Sequence, residues 1–516
     1  MLEAHGIRSA LIGGLAVSLR GLVAAQRDVI DWSACLELAE KLGEAVDLDI
    51  GACVPPAQAG RSPGFHPVPA CRAGSRAAAT MEAMKIVHIT AGAGGRICGT
   101  CLHDNALVKA LRGRGCDALL VPAYVPTTTD EDNVAEAKVV MGGVNVWLQE
   151  HVPLFRRTPA FLDAPLDARP LLEWLSSRTG GARAADLGPL TASTLEGERG
   201  RQRKEVAKLA RWLAGDVRPD VVHLSNALLI GLARAIREAT GAAIVCSLSG
   251  EDVFLDAIPE PHRGRIDSLL RERAADVDRF VAFNRAFAAA MGQRLAVPPE
   301  RVAVIPHGVD LTAYPESPPD LATRRRARGG RLVIGFLARG CPEKGLDQLV
   351  RALPTLAARH DVELIAAGAT VETERDYLAS CHAVARDLGV EDRFRWLGQI
   401  DRARKFELLN SVDVFALPTP RPEAKGLSAI EALAAGVPVV ASNHGAFPEL
   451  LDGERAGLLH APGDPAELAR AIGTLLADEE MAGRLGRHGH SLARSRHSSA
   501  AMAAAHEALY RELDRG

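Results

Sequence analysis

At 516 residues the chain is too long for a single hydrophobic core, so we expect two or three domains. A net charge of −3 gives no electrostatic reason to expect a nucleic-acid partner. Nine cysteines, an odd number, argue for a reducing compartment and against a disulfide framework, so we expect a cytoplasmic protein. No stretch of the sequence approaches the roughly 20 apolar residues that span a membrane.

The first 83 residues differ in character from the rest of the chain. Residues 54–83 are rich in Pro, Gly, Ala and Arg without periodicity, which is typical of a flexible linker. Before them lie a predicted helix at 32–46 and the phrase Ile12–Val17, which faintly resembles the opening of small nucleotidyltransferase domains. About fifty residues cannot complete such a domain. We therefore interpret 1–83 as an extension, either a fused remnant or an over-extended start, and we favour Met84 as the beginning.

From 84 to 312, short apolar runs alternate with amphipathic segments, a pattern that predicts a parallel, doubly wound sheet. The stretch 150–200 interrupts the alternation, and we expect an insertion there that shapes an acceptor site. The first predicted strand is 84–90. The later strands are Ala118–Pro122, Asp220–Leu224, Ala243–Ser247, Arg279–Phe283 and Val302–Pro306, and the helices are Leu102–Arg112, Ala227–Glu238 and Ala286–Leu295.

A Pro- and Arg-rich linker at 313–330, whose basic run 324–328 we expect to be solvated, leads to a second series at 331–497. Two such halves place a ligand in the cleft between them, at the carboxyl ends of the strands. In the last segment, 498–516, a helix at about 498–512 is predicted to pack back on the first half. The second series has predicted strands Leu332–Leu337, Val362–Ala366, Phe394–Leu397, Val414–Leu417 and Pro438–Ala441, with helices Leu346–Arg359, Glu372–Leu388, Ala403–Leu409, Leu427–Ala435 and Pro465–Ala477.

Two cations and two carboxylates in the second half indicate its chemistry. Arg339 and Lys344 lie in the loop after a predicted strand, while Glu423 and Glu431 flank the start of a predicted helix. Fixed cations suit a diphosphate, on which charge grows when the anomeric bond of a nucleotide sugar breaks. Gly426 lets the backbone at the helix start approach a phosphate closely. The sequence therefore predicts a nucleotide-sugar site with Arg339, Lys344 and Glu423 as its catalytic residues.

With these motifs, residues 84–480 resemble retaining glycosyltransferases of the family-4 type, the glycosyl transferases group 1. The matching pieces are the loop from Arg339 to Gly345, Phe394–Gly398, Glu423-x7-Glu431 and Gly436–Ser442. The resemblance implies an α/β fold of the GT-B type: two doubly wound, Rossmann-like domains facing a central cleft, here with a short N-terminal extension. The first half would serve the acceptor and the second half the donor.

The resemblance also assigns roles to individual residues. Arg339 and Lys344 would bind the donor diphosphate, Glu423 the transferred sugar and Glu431 the ribose. The full set of implied donor contacts is Gly94, Gly95, Arg339, Lys344, Gly398, Gln399, Ile400, Glu423, Gly426, Leu427, Ser428 and Glu431. Within this set, Gly94 and Gly95 lie in the loop after the first strand, and Gln399 and Ile400 would frame the base.

The same resemblance implies a UDP- or GDP-linked co-substrate in place of a cofactor, retention of anomeric configuration, and no divalent metal. It leaves the acceptor open among glycan, lipid-linked and small-molecule compounds, and it allows peripheral association with a membrane. The alternative is a non-catalytic sugar-nucleotide-binding protein on the same frame, against which the intact pair Glu423 and Glu431 argues.

Several residues depart from the family pattern or fall outside it. Ala424 and Lys425 stand where the family usually has Gly and an aromatic, so Lys425 either contacts phosphate or sugar, or faces solvent. Ser247–Asp252 replaces a His-Gly pair, which weakens any assignment of a catalytic His there. His307 is expected to order the turn between domains. The run Asp130–Asp132 is formally Asp-x-Asp, but we interpret it as an exposed turn.

Four polar residues at strand ends or in the turns after them could line the acceptor side of the cleft: His88, His103, His223 and Asp252. For His88 and His223, a buried position in the core is weighed equally with a position on the acceptor side. Cys98 and Cys101 are expected to be buried thiols that tighten a loop against a helix, because no second Cys-x2-Cys is present to complete a zinc site. A regulatory disulfide and zinc are the less favoured alternatives.

Overall fold

The structure is a computed structural model, and it describes residues 83–92, 99–136, 138–151, 153–156, 184–317, 321–327, 330–371 and 374–514. The chain divides into two units, Met1–Glu82 and Ala83–Gly516. The first unit lies outside the described residues, together with the helix predicted at 32–46 and the phrase at 12–17. Gly94, Gly95 and Cys98 lie outside them too. The description that follows concerns the second unit, which consists of two lobes.

The first lobe is built on a six-stranded sheet whose described ladders are all parallel and whose order is β2-β1-β3-β4-β5-β6. Its strands are short runs buried on both faces, because helices cover both sides of the sheet. The chain reverses its direction of winding at β1, which lies between β2 and β3. The strands are β1 (Lys85–Thr90), β2 (Asp117–Pro122), β3 (Val221–Leu224), β4 (Ala243–Leu248), β5 (Arg279–Ala282) and β6 (Val302–Val304).

The helices of this lobe follow the strands in the alternation that the sequence predicts. The predicted helix Ala227–Glu238 is a 3-10 segment, Ala227–Leu232, that continues into an α-helix. The α-helices are α1 (Gly99–Gly113), α2 (Gly143–His151), α3 (Gly188–Glu196), α4 (Arg203–Trp212), α5 (Ala233–Thr240), α6 (Asp252–Asp256), α7 (His262–Arg273) and α8 (Arg285–Leu295).

The second lobe has its own parallel six-stranded sheet, in the order β12-β11-β10-β7-β8-β9. Here the winding reverses between β7 and β10, which are neighbours in the sheet although about eighty residues separate them in the chain. The loops that leave the carboxyl ends of these two strands therefore meet, as expected at a topological switch point. The strands are β7 (Leu332–Leu337), β8 (Val362–Ala367), β9 (Phe394–Trp396), β10 (Val414–Leu417), β11 (Val439–Ser442) and β12 (Gly457–His460).

Helices cover both faces of the second sheet, and the last one leaves this lobe. The final helix, α17, packs on α1 of the first lobe, where the Tyr510 hydroxyl lies 2.6 Å from His223 Nδ1 and Glu507 pairs with Arg114. The helices are α9 (Leu321–Ala327), α10 (Leu346–Ala357), α11 (Arg375–Asp387), α12 (Arg402–Ser411), α13 (Leu427–Ala434), α14 (Phe447–Leu450), α15 (Pro465–Ala477), α16 (Glu479–Arg496) and α17 (Ser499–Asp514).

The expectation that the basic run at 324–328 is solvated is wrong for its first two residues. Arg324 is buried and donates to the carbonyl oxygen of Ala435. Arg325 lies 2.9 Å from the buried carboxylate of Asp413 and also pairs with Glu479. Both arginines belong to α9, a helix inside the predicted linker. They are withdrawn from solvent because each one pairs with a buried acceptor of the second lobe.

Two parallel sheets flanked by helices confirm the predicted α/β class. Within the described ranges, no helix combines the length and the apolar character needed to cross a bilayer.

Candidate active site

The loops after β7 and β10 bring Lys344 and Glu423 together at the floor of the cleft. Lys344 Nζ lies 2.5 Å from Glu423 Oε2, and the two side chains are 30% and 16% exposed. Gly345 allows this approach: it has φ +71°, and a Cβ there would lie 2.1 Å from the carbonyl oxygen of Pro418. One of the two predicted cations, Lys344, and the first predicted carboxylate, Glu423, therefore form an ion pair at the carboxyl ends of adjacent strands.

Glu423 also organises the start of α13. Its Oε1 accepts hydrogen bonds from the amides of Lys425, at 3.2 Å, and Gly426, at 3.4 Å. Burial alone would raise the pKa of Glu423, but the Lys344 ammonium and these two amides outweigh it and lower the pKa to about 2. The pKa of Lys344 is raised, because Glu423 outweighs the opposing effect of burial. Both groups therefore stay charged at neutral pH.

Arg339 is not part of this pair. Its Nε lies 3.1 Å from Glu374 Oε1 and 3.4 Å from the sulfur of Cys341, and half of the side chain is exposed. Nothing in the sequence marked Glu374 as a partner of Arg339. The guanidinium nevertheless stays on the Lys344 loop, at the carboxyl end of β7. Its contact with a donor diphosphate stays a prediction.

Glu431 lies one turn into α13 and has a different basic partner. Its Oε1 is 2.7 Å from Lys405 Nζ of α12, and the same ammonium lies 2.8 Å from Asp130 Oδ2 of the first lobe. All three side chains are about 90% buried. They line a cavity between the lobes, together with Leu102, Ala106, Glu131, His307, Gly308, Val309, Asp310, Tyr314, Arg402, Phe406 and Leu427.

The interpretation of Asp130–Asp132 as an exposed turn is wrong for Asp130 and Glu131. Glu131 is only 12% exposed and lies 2.9 Å from Arg402 of the second lobe, next to the Asp130–Lys405 contact. Asp132 alone is exposed, pairing with Lys109. The two acids are buried because they meet cations of α12, a contact that spans 275 residues for Asp130 and Lys405.

Lys425 does not simply face solvent, one of the two alternatives that the sequence leaves open. It is half-buried and reaches across the cleft to the first turn of α1, where its Nζ donates to Thr100 Oγ1 at 2.6 Å. Beside it, Asn284 Nδ2 donates to the carbonyl oxygen of Ala424 at 2.8 Å. The segment that replaces the family's Gly and aromatic pair is thus tied to the first lobe at two points.

The remaining predicted donor contacts surround these groups. Gly398 has φ +70°, and its carbonyl oxygen accepts from the amide of Gly368. It precedes Gln399, which is exposed, and Ile400, which is half-buried. At the start of α13, Gly426 is the N-cap with φ +66°, while Leu427 and Ser428 are half-buried. Whether these residues touch a donor stays a prediction.

The three histidines predicted at strand ends or in the turns after them belong to the core of the first lobe. His88, His103 and His223 are fully buried, so they do not line the acceptor side. His88 Nε2 lies 3.0 Å from Asp104 Oδ1, and His223 Nε2 lies 2.9 Å from Ser247 Oγ. The third, His103, lies 2.5 Å from His307, Nδ1 to Nδ1, under the cavity. Asp252 is the first residue of α6.

His307 lies where the chain crosses between the lobes, and its carbonyl oxygen is 3.0 Å from Nδ1 of His497 in the returning segment. That contact fits the expected role in ordering the turn. Cys101 is buried in the first turn of α1. Over the ranges that the structure describes, no group of three or more His, Cys, Asp or Glu side chains is placed to hold a metal ion.

Two family models match this chain, one in each lobe. Glycosyltransferase Family 4 matches residues 188–313, and glycosyl transferases group 1 matches residues 321–491. A GDP-mannose-dependent alpha-(1-6)-phosphatidylinositol monomannoside mannosyltransferase of Mycolicibacterium smegmatis is 32% identical over 297 residues, which are 54% of this chain and 73% of the relative. The chain belongs to the family-4-type glycosyltransferases, the glycosyl transferases group 1.

The predicted family is thereby confirmed. Another relative of the glycosyltransferase is a D-inositol 3-phosphate glycosyltransferase of Corynebacterium jeikeium, 32% identical over 220 residues. That match covers 41% of this chain but only 52% of the relative, so the chain spans about half the length of that protein.

Solved structures confirm the GT-B architecture. A sucrose-phosphate synthase of Thermosynechococcus elongatus has a TM-score of 0.61 at 19% identity, covering 83% of this chain and 99% of its own. Anabaena Alr3699/HepE in complex with UDP and glucose has a TM-score of 0.57 at 22% identity, with the same two coverages. At these identities the likeness concerns the fold alone.

Proposed function

We propose that this glycosyltransferase moves a sugar from a UDP- or GDP-linked donor to a hydroxyl of its acceptor, with retention of the anomeric configuration. The observation that carries the proposal is the Lys344–Glu423 ion pair at the start of α13. It sets a fixed cation beside a helix N-terminus, where a leaving diphosphate would gain both a charge partner and backbone N–H donors.

The proposed mechanism neutralises the leaving group with protein charge and recruits no metal ion. Lys344 and Arg339 would stabilise the charge that develops on the β-phosphate, and the open first turn of α13 would add its amides. Glu423 would contact the transferred sugar, held in its ionised form by Lys344. Glu431, held by Lys405, would accept hydrogen bonds from the ribose diol.

The acceptor is proposed only as a class: a glycan, a lipid-linked compound or a small polyol. The names of both relatives contain inositol, which makes inositol-based hydroxyl compounds the first to test. A lipid-linked acceptor would require peripheral association with a membrane. We propose the cytoplasm as the compartment, on the odd cysteine count of the sequence. The non-catalytic alternative is less favoured, because the cations and both carboxylates are present and paired.

A donor panel tests this function. The purified protein is incubated with UDP- and GDP-sugars and an inositol-based acceptor, with and without EDTA, and release of the nucleoside diphosphate is measured. We expect release with at least one donor, unchanged by EDTA, and a product whose anomeric configuration by NMR matches the donor. Lys344→Met is expected to lower kcat/KM by about 100-fold, the size of effect seen when one preorganised donor to a developing charge is removed.

The matched control is Arg395→Met, which removes an exposed arginine from strand β9 that lies 3.9 Å from Glu363. It is expected to leave turnover unchanged. No turnover and no binding of any nucleotide sugar by the wild-type protein would contradict the proposal. Full activity in Lys344→Met and in Glu423→Gln would contradict the catalytic roles proposed for these two residues.

A further inference from the structure

Among the described residues of the cleft, only Lys405 has an ammonium that contacts a carboxylate from each lobe. Its Nζ lies 2.7 Å from Glu431 Oε1 and 2.8 Å from Asp130 Oδ2, with about 10% of each side chain exposed. About one turn earlier on α12, Arg402 adds a second ion pair between the lobes, at 2.9 Å from Glu131. Two adjacent acids of the first lobe therefore meet two cations spaced by three residues on one helix.

Such a contact is worth more than a surface ion pair, because water is largely excluded from it. Exposed pairs contribute little, whereas removing one partner of a buried pair leaves an uncompensated charge. Without Lys405, the carboxylates of Glu431 and Asp130 would face each other with no cation between them. Their repulsion would push the lobes apart at the cavity and would leave the Glu431 side chain without the contact that orients it.

From this geometry we infer that Lys405 is a positioning residue. It fixes the carboxylate of Glu431 for the donor ribose and, through Asp130, makes that orientation depend on closure of the two lobes. The first half of this inference rests on the proposed function, because it takes Glu431 to bind the ribose. The second half concerns the lobes alone and can be measured without any substrate.

The geometry also predicts how the effect divides between kinetic constants. Lys405 contacts Glu431 and not the loop that carries Lys344, so its loss weakens donor binding more than the chemical step. Loss of a hydrogen bond to a charged group corresponds to about a tenfold change in affinity or more. We expect Lys405→Met to raise the donor KM about tenfold and to change kcat far less. Lys405→Arg, which keeps the charge, should restore most of the affinity.

The experiment compares Lys405→Met, Lys405→Arg and Asp130→Asn with the wild type. Donor KM and kcat are measured together with the radius of gyration, by small-angle scattering of the ligand-free protein. Both Lys405→Met and Asp130→Asn are expected to increase the radius of gyration, while Lys405→Arg is not. The control is Arg386→Met, which removes an exposed pair with Glu391 at 3.2 Å and should change neither quantity.

The outcomes separate the inference from the proposed function. A wild-type protein without donor turnover or binding contradicts the proposed function, and the scattering comparison still decides whether Lys405 and Asp130 hold the lobes together. An active wild type with an unchanged donor KM and radius of gyration in Lys405→Met overturns the inference alone. If Lys405→Met does not fold, as judged by circular dichroism, the donor KM and the radius of gyration of Asp130→Asn decide instead. That variant weakens the same contact from the first lobe.

Discussion

Lys425 connects the second lobe to the first across the cleft. Its ammonium reaches Thr100 at the first turn of α1, and among the described residues it has no carboxylate within ion-pair distance. An ammonium in that position can stabilise negative charge that develops between the lobes during the reaction. Its influence already extends to the neighbouring core, because the pKa of His307 falls to about 3 chiefly through burial and then through the charge of Lys425.

We expect Lys425→Met to lower kcat/KM by about tenfold or more, because it removes a cation from a partly dehydrated cleft in which charge develops. Thr100→Val is the matched variant, since it removes only the hydroxyl that the ammonium contacts. Steady-state kinetics should show a small effect for Thr100→Val and a large one for Lys425→Met. Equal losses in the two variants would mean that Lys425 acts only as a bridge between the lobes.

At the residue scale, site residues could be predicted where both the type of side chain and its position after a strand pointed to the same role. Lys344 and Glu423 come together because each follows a strand and the two strands are neighbours. The partners of Arg339 and Glu431 could not be predicted in the same way. Glu374 is the N-cap of α11 and Lys405 lies on α12. The rotation of these helices relative to the sheet depends on packing, and no local pattern marks which of their residues faces the cleft.

At the scale of elements, the loop after β11 supports the loop that carries Glu423. The amide of Ala446 donates to the carbonyl oxygen of Glu423 at 2.8 Å. Its neighbour Gly445 has φ +59°, and a Cβ there would lie 2.5 Å from both the nitrogen and the oxygen of Glu423. Gly453, in the turn after α14, has a similar φ of +63° but nothing within 4 Å of its would-be Cβ.

These two glycines form a matched pair. Gly453→Ala is expected to cost about 1 kcal/mol in the free energy of unfolding, the cost of a left-handed conformation alone, and to leave activity intact. Gly445→Ala should cost clearly more and should also lower kcat, because the new methyl group displaces Glu423 from Lys344. Urea denaturation and steady-state kinetics check both. Equal stability and full activity in the two variants would contradict this account of the loop.

The helices and strands themselves were largely predictable, and the features that were missed lack a clear local signal in the sequence. Leu332–Leu337, Val414–Leu417 and Pro465–Ala477 have the predicted bounds, because apolar runs and a Pro at the first helical turn mark them clearly. Strand β12 was missed because Gly457–His460 has only two apolar residues between a glycine and a histidine, and both of these apolar residues are half-buried. Asp130 was misinterpreted, and Glu131 with it, because a polar loop gives no sign of a cation such as Lys405, which lies 275 residues from Asp130 in the chain.

On the scale of the whole molecule, a chain of buried histidines runs from the first sheet to the crossing between the lobes. The rings of His88 and His223 are 4.6 Å apart, His223 and His506 are 5.6 Å apart, and His103 stacks on His307. His506 belongs to the final helix and His307 to the crossing turn, so the chain of rings joins three parts of the fold. Other groups facing the rings are Asp104, Ser247 and Tyr510.

Burial lowers the pKa of four of these histidines: His103 and His223 well below the usual value, His307 to about 3 and His506 to about 4. In the unfolded chain a histidine titrates near 6.5, so below that pH the unfolded state binds more protons than the folded state. The free energy of unfolding must then fall as the pH drops through about 6.5. For His506 it keeps falling until about pH 4, and for His307 until about pH 3.

We expect the wild-type protein to lose stability steeply between pH 7.5 and pH 5, as measured by urea denaturation at each pH. A single histidine with the folded pKa of His506 contributes about 2 kcal/mol to that loss, so His506→Gln should flatten the profile by about that amount. His151→Gln removes an exposed histidine instead and should leave the slope unchanged. A slope that is identical in all three proteins would show that the buried rings do not control acid stability, and that protonation elsewhere, for example of the carboxylates, dominates.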